Sequence, residues 1–129
     1  MAQNVLLIDD DVDFREAITT LLEAKGYGVL TAGTGSEGFA LARQQQPQLV
    51  LLDMMMERRT EGLETVRQFQ SDSATRDIPI ILVTGIKRDM NMAFGLEPDE
   101  QTLPVKAVLE KPVKPEKILQ AVAEHIRKA

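Results

Sequence analysis

Leu49-Val50-Leu51-Leu52-Asp53-Met54-Met55-Met56-Glu57-Arg58-Arg59 decides how this chain folds. Its four leading apolar residues lack the polar alternation of a half-buried strand. They read instead as a strand covered on both faces, the kind found in parallel sheets with a helical layer on either side. The run ends in Asp53, and a carboxylate buried there costs several kcal/mol unless something compensates it. Asp53 therefore requires a partner or a chemical role.

Working outward, strands and helices alternate. Val5 to Ile8 is a short apolar run that stops at Asp9, Asp10 and Asp11. Phe14, Ala17, Ile18, Leu21 and Leu22 then recur at helical spacing, and Gly26 stops that helix. Asp11 reads as its cap. Gly28 to Thr31 forms a second strand. Thr34, with Glu37 three residues on, is a capping-box signature for a helix that ends before Pro47. Leu63, Val66 and Phe69 mark a third helix after Gly62. Ile78 to Thr84 and Ala107 to Glu110 are further strands. Pro115 suits the first turn of a last helix, with the stripe Ile118, Leu119, Val122 and Ile126. Such alternation predicts an α/β fold, a doubly wound parallel sheet with helices on both faces. Ligands of such sheets gather at the carboxyl ends of the strands.

Composition narrows the function. The chain has 129 residues, sized for one domain, and 43% of them are apolar. It has no cysteine, which excludes disulfides and thiolate metal sites and suits the cytoplasm. The formal net charge of −5 disfavours direct nucleic-acid binding. No apolar run reaches the roughly 20 residues of a membrane span, so no membrane role is expected. A lone histidine, His125, supports no histidine metal site.

The strand ends carry complementary chemistry: Asp9 and Asp10 after the first, Asp53 after the third, Thr84 after the fourth, Lys111 after the fifth. Three converging carboxylates repel one another. A hard divalent cation relieves that repulsion, and Mg²⁺ suits a partly hydrated site with few carboxylates. A cation, a hydroxyl and an ammonium around a carboxylate are what transfer of a phosphoryl group onto that carboxylate needs. Asp53 reads as a nucleophile that accepts phosphate.

VLLIDDD, LVLLDMM, IPIILVTG and LEKPVKPEKIL, in this order, resemble the receiver domain of bacterial two-component response regulators over nearly the whole chain. The resemblance implies a flavodoxin-like (CheY-like) five-stranded sheet of order 2-1-3-4-5, forming one receiver domain over residues 1–129. It implies Asp53 as phospho-acceptor. It also implies Asp10, Asp53 and the backbone carbonyl of Met55 as direct Mg²⁺ ligands, with Asp9 acting largely through a metal-bound water. Thr84 and Lys111 would contact the phosphoryl oxygens, and the Lys111–Pro112 peptide would be cis. The donor would be a histidine kinase or a histidine phosphotransfer protein. The output would be a phosphorylation-controlled contact with an unnamed downstream protein. Such a protein is a stand-alone switch that catalyses only its own phosphorylation and dephosphorylation, not a turnover enzyme.

Several positions depart from the family pattern. Glu57 stands where the family usually has proline, and Gly62 comes one residue late. Met55 and Ile86 put apolar side chains beside the acceptor, where they are expected to slow hydrolysis of the phosphorylated state by impeding water. Val108 replaces the aromatic that usually reports the switch. The stretch between Thr84 and Lys111 is long and contains Pro98 and Pro104, so residues 86–104 are expected to form an atypical two-state output element. Arg58, Arg59, Lys87 and Arg88 follow strand ends and are either a rim that guides a phosphorylated partner or a solvated surface. Two rivals remain. A pseudo-receiver would bind partners without phosphorylation. A Mg²⁺-dependent aspartyl phosphohydrolase would want a second acid two residues after its nucleophile, where this chain has Met55.

Overall fold

The structure is a computed structural model that describes residues 3–54, 59–84 and 104–128. Its elements run β1 (Asn4–Ile8), α1 (Val12–Glu23), β2 (Gly28–Ala32), α2 (Gly35–Gln45), β3 (Leu49–Met54), α3 (Arg59–Ser71), β4 (Ile80–Thr84), β5 (Ala107–Glu110) and α4 (Pro115–His125). The five strands form one sheet in the order β2-β1-β3-β4-β5. Every pairing is parallel. Strand order reverses between β1 and β3, and the carboxyl ends of these two strands flank the crevice where such folds place their chemistry.

The apolar run Leu49–Leu52 lies in β3, the central strand of the sheet. Val50 and Leu52 enter one core with Leu6, Ile8, Phe69, Ile80 and Leu82. Leu49 and Leu51 enter the other, with Val5, Leu7, Leu22, Ile81 and Val122. Alternate side chains of a strand face opposite sides, so a strand between two helical layers has no polar face. This arrangement explains why Leu49 to Leu52 reads as an unbroken apolar run.

Local signals set the helix ends. Asp11 caps α1, its Oδ1 accepting the amides of Asp13 at 3.0 Å and Phe14 at 3.2 Å. The same helix closes at Gly26, whose φ of 92° lies in the left-handed region. There the Gly26 amide donates to the Glu23 carbonyl and the Tyr27 amide to that of Leu22, a Schellman pattern. Thr34 Oγ1 caps α2 by accepting the Glu37 amide at 3.1 Å. Pro115 opens α4. Helix α2 lies so close to the sheet that a Cβ at Gly38 would collide with the Ile8 side chain.

Some boundaries differ from the sequence expectation. Helix α3 begins at Arg59 and runs through Gly62, which the pattern placed before the helix. Gly62 is buried within the helix despite its low helix propensity, about 1 kcal/mol against alanine. Strand β4 begins at Ile80, after Pro79, because proline has no amide for the ladder. Ile126 lies just past α4 as its C-cap yet still packs on the core. Met55, Glu57, Arg58, Ile86, Lys87, Arg88 and Pro98 lie outside the described residues, as does nearly all of 86–104.

Candidate functional site

Asp9 and Asp10 directly follow β1, Asp53 is the fifth residue of β3, Thr84 ends β4, and Lys111 directly follows β5. Parallel pairing puts all four strand ends on one edge. Asp53 pairs in register with Val83, Met54 with Thr84, and Thr84 with Glu110. The carboxylates of Asp9, Asp10 and Asp53 converge, each offering an oxygen within 4.8 Å of the others. Asp9 is buried and Asp10 exposed, so the cluster has a closed side and an open one.

The Asp53 side chain is only 1% exposed, and its Oδ1 faces Lys111 Nζ at 2.8 Å. Asp53 Oδ2 and Asp9 Oδ2 are buried with no hydrogen-bond donor among the described residues. Asp9 Oδ1 accepts the Asp11 amide at 2.8 Å, and the Asp9 carbonyl accepts from Arg15 Nη1 at 3.1 Å. Burial raises the Asp9 carboxyl from 3.8 to about 7. The Asp11 amide pulls it down, the nearby Asp53 pushes it up, and Lys111 offsets part of that. Among the described residues, three carboxylates, two of them with unmatched buried oxygens, face one nearby ammonium, that of Lys111. That donor set, all hard oxygens around an open side, suits Mg²⁺ or another hard divalent cation.

Lys111 is anchored from behind. Its amide donates to the Thr84 carbonyl at 2.7 Å, and the Lys111–Pro112 peptide is cis. Thr84 is itself buried. The five side-chain positions singled out in the sequence thus meet at one edge, whereas Met55, whose carbonyl was expected to complete the metal ligands, lies outside the described residues. Asp11 is a helix cap, as read. His125 is partly exposed and 3.8 Å from Glu124 Oε2 in α4. Val108 pairs with Leu82 in the sheet and packs against the core on the Phe69 side.

Sequence reasoning did not find Phe14 at this site. Its place in the apolar stripe of α1 marked it as core, and it does pack there. Its ring also lies 4.1 Å from Lys111 Nζ. The available signal was its position one turn past the acidic loop, at the N-terminal end of α1.

Comparison with known proteins agrees with this geometry. The family model described as "Response regulator receiver domain" matches residues 5–123. The protein PilH of Pseudomonas aeruginosa is 33% identical over 118 residues, covering 92% of this chain and 93% of PilH. The phosphate regulon transcriptional regulatory protein PhoB of the same organism is 36% identical over 97 residues, 75% of this chain and 42% of PhoB. The chain thus spans about half the length, or less, of several curated relatives it matches. Among solved structures, the chemotaxis protein CheY4 of Vibrio cholerae superposes with a TM-score of 0.77 at 25% identity, covering 98% of this chain and all of that one.

Proposed function

The chain belongs to the response regulator receiver domain family of two-component signalling, and from that premise we propose that Asp53 is its phospho-acceptor and that phosphorylation switches its contact with a downstream protein. The donor is a phosphohistidine on a histidine kinase or a histidine phosphotransfer protein. The setting is the cytoplasm, which suits a chain without cysteine. No described helix is long and apolar enough to cross a membrane. The observation that carries the reading is the Lys111 Nζ to Asp53 Oδ1 contact of 2.8 Å, set within the three-carboxylate cluster.

In the reaction a lone pair of the Asp53 carboxylate forms a bond to phosphorus. The phosphorus–nitrogen bond breaks, and its electron pair stays on the departing imidazole. The product is an acyl phosphate. Little covalent assistance is needed, so the residues act by position and charge. The sheet holds Asp53 at a strand end with its carboxylate beside those of Asp9 and Asp10 and against the Lys111 ammonium. Lys111 moves from the carboxylate oxygen to the phosphoryl oxygens as negative charge passes to them. Thr84 donates its hydroxyl to the same group. Asp9, Asp10 and Asp53 would hold Mg²⁺, with the Met55 carbonyl as the further ligand that the family implies. When bound there, Mg²⁺ supplies positive charge that offsets the carboxylates and the incoming phosphate. The chain catalyses this transfer, and the later hydrolysis of the acyl phosphate to inorganic phosphate and free Asp53, on itself alone.

The test is incubation with acetyl phosphate and Mg²⁺, followed by intact-mass measurement. The expected result is one added phosphoryl group, absent with chelator and absent in Asp53→Asn. Equal uptake by Asp53→Asn would refute the assignment.

A further inference from the structure

Charge alone does not account for where the Lys111 ammonium sits. Lysine carries a compact cation on a flexible four-carbon stem, and a strand end next to solvent leaves that stem many conformations. Yet the Lys111 side chain is only 23% exposed. Two groups lie against its ammonium. One is the Asp53 carboxylate at 2.8 Å. The other is the Phe14 ring, whose centroid is 4.1 Å from Nζ. An aromatic face carries partial negative charge and attracts a cation within about 6 Å of its centroid.

Both partners are fixed from behind. The Phe14 amide donates to Oδ1 of Asp11, the N-cap of α1, so the ring springs from the first turn of that helix, directly after Asp9 and Asp10. Its body packs against the core that holds Val5, Leu7 and Ile18. Lys111 is tied to β4 through the Thr84 carbonyl. The ammonium therefore lies between a carboxylate and a π face, each mounted on a different element. A leucine at position 14 would serve the core equally well but offer the ammonium nothing.

We propose that Phe14 is a positioning residue for phosphoryl transfer, its ring holding the Lys111 ammonium over Asp53 before transfer and over the phosphoryl oxygens after it. This role rests on Asp53 as acceptor and Lys111 as phosphoryl contact, and adds to them a residue of α1 that touches neither phosphate nor metal. Losing the ring lets the ammonium spread over other rotamers and become more fully hydrated. Phosphoryl uptake then slows by roughly threefold to tenfold, the usual range for a partly exposed cation–π pair.

The experiment compares Phe14→Leu, Phe14→Tyr, Lys111→Ala and the double variant Phe14→Leu/Lys111→Ala. Two readouts are taken on the intact chain: the rate of uptake from acetyl phosphate with Mg²⁺, and the proton shifts of the Lys111 ε-methylene. Ring-current shielding should move those protons upfield in the wild type and in Phe14→Tyr, but not in Phe14→Leu. Phe14→Leu should be slow and Phe14→Tyr close to the wild type. Once Lys111 is alanine, Phe14→Leu should slow uptake no further. Wild-type uptake by Phe14→Leu, a Phe14→Tyr as slow as Phe14→Leu, or fully additive effects of the two sites would overturn the role alone. Unshifted Lys111 protons in the wild type would overturn it without any variant. A wild type that takes up no phosphate would overturn the acceptor assignment and this role together.

Discussion

Substituting Asp9 by asparagine should make the metal-free protein more stable at neutral pH and nearly abolish one component of its pH dependence. The Asp9 carboxyl is raised from 3.8 to about 7, chiefly by burial. A raised carboxyl means that between these two values the folded state holds a proton that the unfolded chain has released. Stability from this group is therefore fully present below about pH 4, falls as pH rises toward 7, and levels off above that. Roughly three pKa units at about 1.4 kcal/mol each come to on the order of 4 kcal/mol. Asparagine is a close replacement. Its carbonyl still accepts the Asp11 amide, which Asp9 Oδ1 meets at 2.8 Å. Its amide nitrogen gives a donor where Asp9 Oδ2 has none among the described residues. Urea unfolding in chelator, from about pH 4 to pH 8, measures the difference between the two proteins, in which contributions from carboxylates remote from Asp9 cancel. The curves should nearly meet at the acid end and separate by a few kcal/mol at the other, with Asp9→Asn the more stable. Curves that stay parallel across the range would refute the reasoning, since Asp9 would then not be held protonated by its burial.

Three further outcomes are expected. Mg²⁺ at about ten times its dissociation constant should stabilise the wild type by about 1.4 kcal/mol, and Asp10→Ala should remove most of that gain in thermal melts. Gly38→Ala should destabilise the protein by about 1–3 kcal/mol, because its new Cβ would meet the Ile8 side chain between α2 and β1; urea midpoints read this directly. Thr75→Val should lose about 1–2 kcal/mol in the same assay, since the fully buried Thr75 Oγ1 donates to the Phe69 carbonyl at 2.7 Å and helps close the C-terminal end of α3.

Much of this molecule is legible in the one-dimensional chain, and the reason is local. Hydrophobic period and capping chemistry act over a few residues, so the strands around Leu7, Leu51 and Leu82 and the caps at Asp11 and Thr34 can be read directly. The acids at the strand ends are legible because a parallel sheet sends every strand's carboxyl end to one edge. Contacts between distant segments are not legible. Gly62 looks like a helix boundary until its burial within α3 is seen. The Asp9 proton depends on how completely β1 and its neighbours exclude water. Lys111, 58 positions after Asp53, reaches that carboxylate only because β5 pairs with β4 and β4 with β3. Phe14 belongs to both descriptions. The stripe of α1 places it in the core by itself, but only the tertiary fold sets its ring against the Lys111 ammonium, because a contact between residues 97 positions apart is written in no local pattern.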